Sequence, residues 1–167
     1  HIQHLAGFYR DYIDGIRKLS PKGENARIAL LTPGPFNETY FEHTYLARYL
    51  GISLVEGNDL TVRNNKVFLK TVNGLEPIDG LIRRTDDQWL DPLELREDSH
   101  LGVPGLLQAI RCGGVVMANM PGSGWLESPA IHGFMPGFGQ HYLQEELLLP
   151  SVPSWWCGES PAWAQAS

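Results

Sequence analysis

Lysine is absent after Lys70, and no cluster of Lys and Arg appears anywhere in the 167 residues. Nucleic acids and anionic membranes are held by clustered basic side chains. Neither is therefore an expected partner, and the net charge of −6, from 13 basic and 19 acidic residues, points the same way. Cysteine is scarce. Cys112 and Cys157 lack paired metal-ligand spacing and are read as reduced thiols of a cytoplasmic protein rather than as a disulfide. No apolar run approaches the roughly 18 residues of a membrane-spanning helix. The histidines at 1, 4, 43, 100, 132 and 141 are scattered, without a His-Glu-x-x-His motif, so no metal centre is expected. Repeats and low-complexity tracts are missing too. The chain opens without Met or a signal-peptide pattern and stops without a closing element, so a longer parent chain is expected.

What is present reads as alternating strands and helices. Residues 4–19 place Leu5, Phe8, Tyr9, Tyr12, Ile13, Ile16 and Leu19 at helical spacing. The runs 26–31, 53–57, 80–84 and 115–119 are short and apolar, the pattern of strands covered on both faces. Residues 38–50 predict a helix ended by Gly51, with Phe41, Tyr45, Leu46, Tyr49 and Leu50 along one broad apolar face. Residues 60–72 alternate around Asn64-Asn65, a tight hairpin signal that adds an antiparallel edge to the sheet. Pro92 after Asp91 predicts a helix start, and "VPGLLQAIRC" predicts a helix ended by Gly113-Gly114. Helical segments are expected from about 129 to 148, and the last 18 residues carry no assignment. The fold class is α/β: a mostly parallel, Rossmann-like sheet with helices on both faces plus a β-hairpin.

Ligands of such sheets sit beyond the carboxyl ends of the strands, and three segments lie there. In "TPGPFNE", Asn37 and Glu38 fit a helix cap with a dipole-matched acid, or equally one wall of a cleft for an amine. In "LIRRTDD", Arg83 and Arg84 diverge by strand alternation, so at most one faces a given pocket. Asp86 and Asp87 fit plain ion pairs with them; an open guanidinium would instead suit a carboxylate or phosphate. In "ANMPGSGWLE", Asn119 precedes Gly122-Ser123-Gly124 on a strand-to-helix turn. That turn is no dinucleotide fingerprint, P-loop or nucleophile elbow. His43 reads as a surface or packed imidazole. Trp155, Trp156 and Trp163 read as packing against a further segment.

Taken together, "LLTPGPFNETYFEHTYLARYLG", "LVEGNDLTV", "LIRRTDD…DPLELREDSHLGVPGLLQAIR", "ANMPGSG" and "LPSVPSWWCG" resemble the circularly permuted ATP-grasp type 2 proteins, over residues 26–158. The resemblance implies a pre-ATP-grasp domain at 1–120 and the start of an ATP-grasp lobe at 121–167. It implies substrate contacts at Asn37, Glu38, Arg83, Arg84, Asp86 and Asp87, and nucleotide contacts at Asn119, Gly122, Ser123 and Gly124. ATP and Mg²⁺ are implied for active, glutathionylspermidine synthase-like ligases, which join a carboxylate to an amine through an acyl phosphate. Here Ser128-Pro129 stands where an acid and a phosphate-binding lysine are expected, and fits a helix start instead. The sequence in this respect is similar to the inactive members joined to an alpha-E domain. The expectation is a protein of a peptide synthesis or modification system, with no catalytic residue and no cofactor in this stretch. It would bind an amino-acid or peptide-like ligand, or a partner, alongside the remainder of its own chain. An active ATP-dependent carboxylate–amine ligase is the alternative, and an unrelated Rossmann-like nucleotide binder the second alternative.

Overall fold

The computed structural model describes residues 4–166, so His1 lies outside the described residues. The chain divides into two compact units, His1–Pro121 and Gly122–Ser167.

The first unit runs α1 (Ala6–Leu19), β1 (Ile28–Leu31), α2 (Tyr40–Leu50), β2 (Ser53–Val55), β3 (Leu60–Arg63), β4 (Lys66–Thr71), β5 (Gly74–Ile78), β6 (Gly80–Arg83), α3 (Leu106–Arg111) and β7 (Val116–Ala118). The four apolar runs form one parallel sheet in the order β2-β1-β6-β7. Every residue of β1 and β6 is buried. Alternation splits these strands between two cores. Leu30, Ile28 and Ile82 pack under Ile13 and Ile16 of α1 and Ala47 of α2. Ala29, Leu31 and Leu81 pack under α3 and the antiparallel strands. Helices thus lie on both faces, as the alternating pattern implies.

Three expectations need correction. The hairpin is no edge of the parallel sheet. Strands β3, β4 and β5 make a separate antiparallel sheet whose Leu60, Val67 and Ile78 cover one face of the parallel one. The third strand hides in the sequence because it holds Pro77 and begins at Gly74, both tolerated since β5 is an edge. Pro92 starts no helix, and residues 91–100 are turns. Helix α2 begins at Tyr40, and its inward stripe is His43, Leu46, Ala47 and Leu50; Phe41, Tyr45 and Tyr49 face outward. Elsewhere the turn chemistry agrees with expectation. Asn64 and Asn65 take φ of 50° and 59° in the hairpin, and Gly51 closes α2 at φ 67°.

After α3 the chain passes so close to the hairpin that a Cβ at Gly114 would stand 1.7 Å from the Asn65 carbonyl oxygen. Because the obstacle is backbone, Gly114→Ala must push the hairpin tip away. The expected cost is about 1–3 kcal/mol, read as a lowered denaturant midpoint.

The second unit contains a 3₁₀ turn (Ser123–Glu127) and a second one (Pro129–Phe134) that starts with Ser128 as cap and Pro129 first. Helix α4 (Met135–Phe138) runs into a π turn ending at Leu143, short of the expected 148, and α5 spans Ser160–Ala166. Phe134 rests against Trp156 with ring centroids 6.1 Å apart. The cysteines are free and exposed, and among the described residues no helix is long and apolar enough to cross a membrane.

Candidate functional site at the carboxyl edge of the parallel sheet

The candidate residues gather where β1, β2 and β6 end. Register sets their order. Leu31 pairs with Val55 on one side and with Arg83 on the other. The ladder continues one residue further, because Thr32 N–H donates to Val55 O at 2.9 Å and Arg84 N–H donates to Leu31 O at 2.8 Å. Glu56, Thr32 and Arg84 therefore form a row on the face of α1 and α2, while Val55, Leu31 and Arg83 form a row on the other face.

The two arginines have opposite fates. Arg83 is only 9% exposed. Its Nε donates to Asn119 O at 2.7 Å, its Nη1 to Thr85 O at 2.6 Å, and its Nη2 lies 2.7 Å from Asp87 Oδ1. Asn119, at φ 62°, returns a bond from its side-chain amide to the Arg83 carbonyl at 3.2 Å. This exchange ties the ends of β6 and β7 together. Arg84 is exposed, and its guanidinium forms no hydrogen bond or ion pair among the described residues. Burial pushes the Tyr12 phenol of α1 up, and the charge of Arg84 partly offsets that. Asp86 is exposed at the start of a 3₁₀ turn, Asp87–Trp89.

Asn37 and Glu38 lie in the turn before α2 rather than inside it. Glu38 is exposed. Asn37 Oδ1 accepts the Thr39 N–H at 2.9 Å and the Thr39 hydroxyl at 2.6 Å. This local bond competes with helix formation and holds the start of α2 at Tyr40. It also orients His43, expected from the sequence to be a surface or packed imidazole and found buried. The Thr39 hydroxyl already donates its one hydrogen bond to Asn37, so its oxygen accepts from His43 Nε2–H at 3.0 Å. The bare Nδ1 then accepts a hydrogen bond from the Thr32 hydroxyl at 2.9 Å, and the Thr32 oxygen accepts the Gly34 N–H at 3.2 Å. Every group in this chain has one role, and only neutral imidazole satisfies all of them. Burial lowers the His43 pKa, Arg84 lowers it further, and Glu42 opposes both.

A histidine whose folded pKa lies below its ordinary 6.5 binds its proton more readily in the unfolded chain. Stability from this group is thus complete above about pH 6.5 and falls as the pH drops through that value. Denaturant unfolding at about pH 7.5 and about pH 5.5 should show wild type losing more stability than His43→Gln, which has nothing to titrate there.

The same end of the sheet is held by a long loop. A Cβ on Gly57 would stand 2.3 Å from Leu101 O, so the chain after Glu56 lies directly on that loop. Gly34, at φ 101°, approaches Glu56 closely: a Cβ there would stand 3.2 Å from its carboxylate.

A parallel α/β sheet with its ionic side chains ranged along the carboxyl edge defines the class of this molecule as Rossmann-like. Comparison of the whole sequence makes the assignment narrower. The chain belongs to the circularly permuted ATP-grasp type 2 family, which it matches over residues 1–167. It is 40% identical to the uncharacterized protein sll0335 of Synechocystis sp. over 157 residues, which are 93% of this chain and 33% of that protein. It is 43% identical to the uncharacterized protein Rv2411c of Mycobacterium tuberculosis over 130 residues, 78% of this chain and 24% of that one. With Rv2567 of the same organism the identity is 42% over 131 residues, 78% and 15% of the two chains. The chain thus spans a third or less of the length of these relatives.

The family implies ATP and Mg²⁺, and the unit Gly122–Ser167 offers a polyphosphate no lysine or arginine. Polyphosphate charge is met by fixed cations, yet the sequence holds no Lys or Arg after Arg111. The unit Gly122–Ser167 carries Glu127, Glu145, Glu146 and Glu159 and, as cationic candidates, only two histidines. Its Gly122 caps a five-residue 3₁₀ turn that begins with Ser123 and Gly124 and has no basic side chain. Among the described residues no group of three or more His, Cys, Asp or Glu could hold a metal ion.

Proposed function

We propose that this stretch holds an amino-acid or peptide-like ligand for an ATP-grasp-type protein of a peptide synthesis or modification system, in the cytoplasm, and performs no ATP chemistry itself. The observation that carries the proposal is the open guanidinium of Arg84 at the carboxyl edge, beside an Arg83 engaged by the carbonyls of Asn119 and Thr85 and by Asp87. A single guanidinium fork suits a carboxylate, and with no second open guanidinium or ammonium beside it among the described residues a polyphosphate is a poor match. The missing cations of the second unit support the absence of ATP chemistry. The two free thiols are in keeping with a reducing compartment.

The test is calorimetric titration with L-alanyl-L-alanine and with its C-terminal carboxamide. The free carboxylate should bind and the carboxamide should not. Arg84→Ala should weaken binding of the dipeptide by about ten- to a hundredfold, the value of hydrogen bonds to a charged group. Equal binding of both compounds would overturn the proposal. A second reading, an active carboxylate–amine ligase, draws on the greater length of the relatives, which leaves room for phosphate-binding cations beyond the matched span. ATP turnover by the intact protein with an amine acceptor would establish it in place of the inactive reading.

A further inference from the structure

The row Glu56–Thr32–Arg84 contains one acid and one base on the same face of the sheet, separated by a single strand. Strand spacing puts their backbones roughly 10 Å apart. Side chains of this length can meet across that gap, yet neither enters an ion pair with any described residue. Each is also restrained. Glu56 is in extended conformation (φ −98°, ψ 166°), and its N–H donates to Asp59 Oδ2 at 2.8 Å in a capping box. Its carboxylate lies against Gly34, where any side chain would crowd it. Arg84 follows Ile82 on the α1 and α2 face and is fixed at its backbone by Leu31. Between the two charges stand Thr32, fully engaged, and His43, held neutral by its two hydroxyl partners. A neutral imidazole leaves the field of the row to its two ends, negative at Glu56 and positive at Arg84.

We propose that Glu56 receives the ammonium group of the ligand whose carboxylate Arg84 holds, so that the edge is a clamp for a zwitterion of amino-acid or dipeptide size. This rests on the carboxylate site proposed above and adds the ligand's second charge. It assigns the amine end to Glu56, on the ordered row, in place of Glu38, which lies outside that row in the turn. The glycine at 34 also gains a purpose, since it leaves room above the Glu56 carboxylate.

The experiment compares L-alanyl-L-alanine with N-propionyl-L-alanine, the same molecule without its ammonium group, on wild type, Glu56→Gln and Glu38→Gln. Wild type should prefer the dipeptide by about tenfold or more, the scale of a charge-assisted hydrogen bond. Glu56→Gln should remove that preference and leave propionyl-alanine binding unchanged, while Glu38→Gln should keep it. Equal binding of the two compounds to wild type would overturn the clamp while leaving the carboxylate site standing. Loss of preference in Glu38→Gln alone would overturn the assignment to Glu56. If neither compound binds, both the carboxylate site and the clamp fall. Unchanged unfolding midpoints in the two variants exclude misfolding as the cause.

Discussion

Asp91→Ala is expected to lower the thermal midpoint by about 6–12 °C, the equivalent of roughly 3 kcal/mol in a chain of this size. Asp91 is fully buried. Its Oδ1 accepts the Leu93 N–H at 3.0 Å and the Gly105 N–H at 3.1 Å, and its Oδ2 accepts the Leu107 N–H at 3.0 Å. One carboxylate thus turns its own loop and caps α3 from across the loop. Alanine would leave three donors without partners, each at about 1 kcal/mol or more. The loop held in this way also carries Leu101, against which Gly57 is packed. Loosening it should be felt at the end of β2 and hence at Glu56. Asp91→Asn keeps an acceptor oxygen and should recover part of the loss. A midpoint within about 2 °C of wild type in Asp91→Ala would show that water replaces the carboxylate readily.

Arg83→Ala is the second large effect, and its interest lies in the contrast with its neighbour. Removing the guanidinium takes the partners from the carbonyls of Asn119 and Thr85 and from Asp87. Breaking a largely buried pair of this kind costs about 3–5 kcal/mol; the partial exposure of Asp87 favours the lower end. The variant should unfold at lower denaturant, and β7 should be the first strand to exchange its amide protons, because the Arg83–Asn119 exchange ties it to β6. Arg84→Ala, one residue along, should change stability by about 0.5 kcal/mol or less, as expected for an exposed side chain with no hydrogen bond or ion pair among the described residues.

How much of this could be read from the residues varies with the kind of signal. The buried strands declared themselves because β1 is apolar at every position and β6 is apolar up to Arg83, and both are bounded by turns. The Asn-Asn hairpin did so because left-handed angles at two successive positions suit few other residues. The antiparallel sheet was half visible: strand β5, with Glu76 and Pro77, has no apolar alternation to reveal it, and its pairing with β4 is a tertiary fact. The start of α2 was misread because Asn37 makes its cap-like bond to the Thr39 N–H within a turn, and the helix itself starts only at Tyr40. That local bond moves the helix on and brings His43 inward. Arg83 and Arg84 were correctly expected to diverge, but which of them is buried depends on which face β6 turns toward α3. Glu56 gave no sign, since an acid after a short strand looks like any loop residue. Only the register of β2 beside β1 brings it into line with Arg84.

The most direct test of the account measures dipeptide binding and unfolding side by side in Arg83→Ala and Arg84→Ala. Arg84→Ala should keep the wild-type midpoint and lose about tenfold or more in affinity for L-alanyl-L-alanine, while Arg83→Ala should lose stability first. Undiminished dipeptide binding by a fully folded Arg84→Ala protein would contradict it.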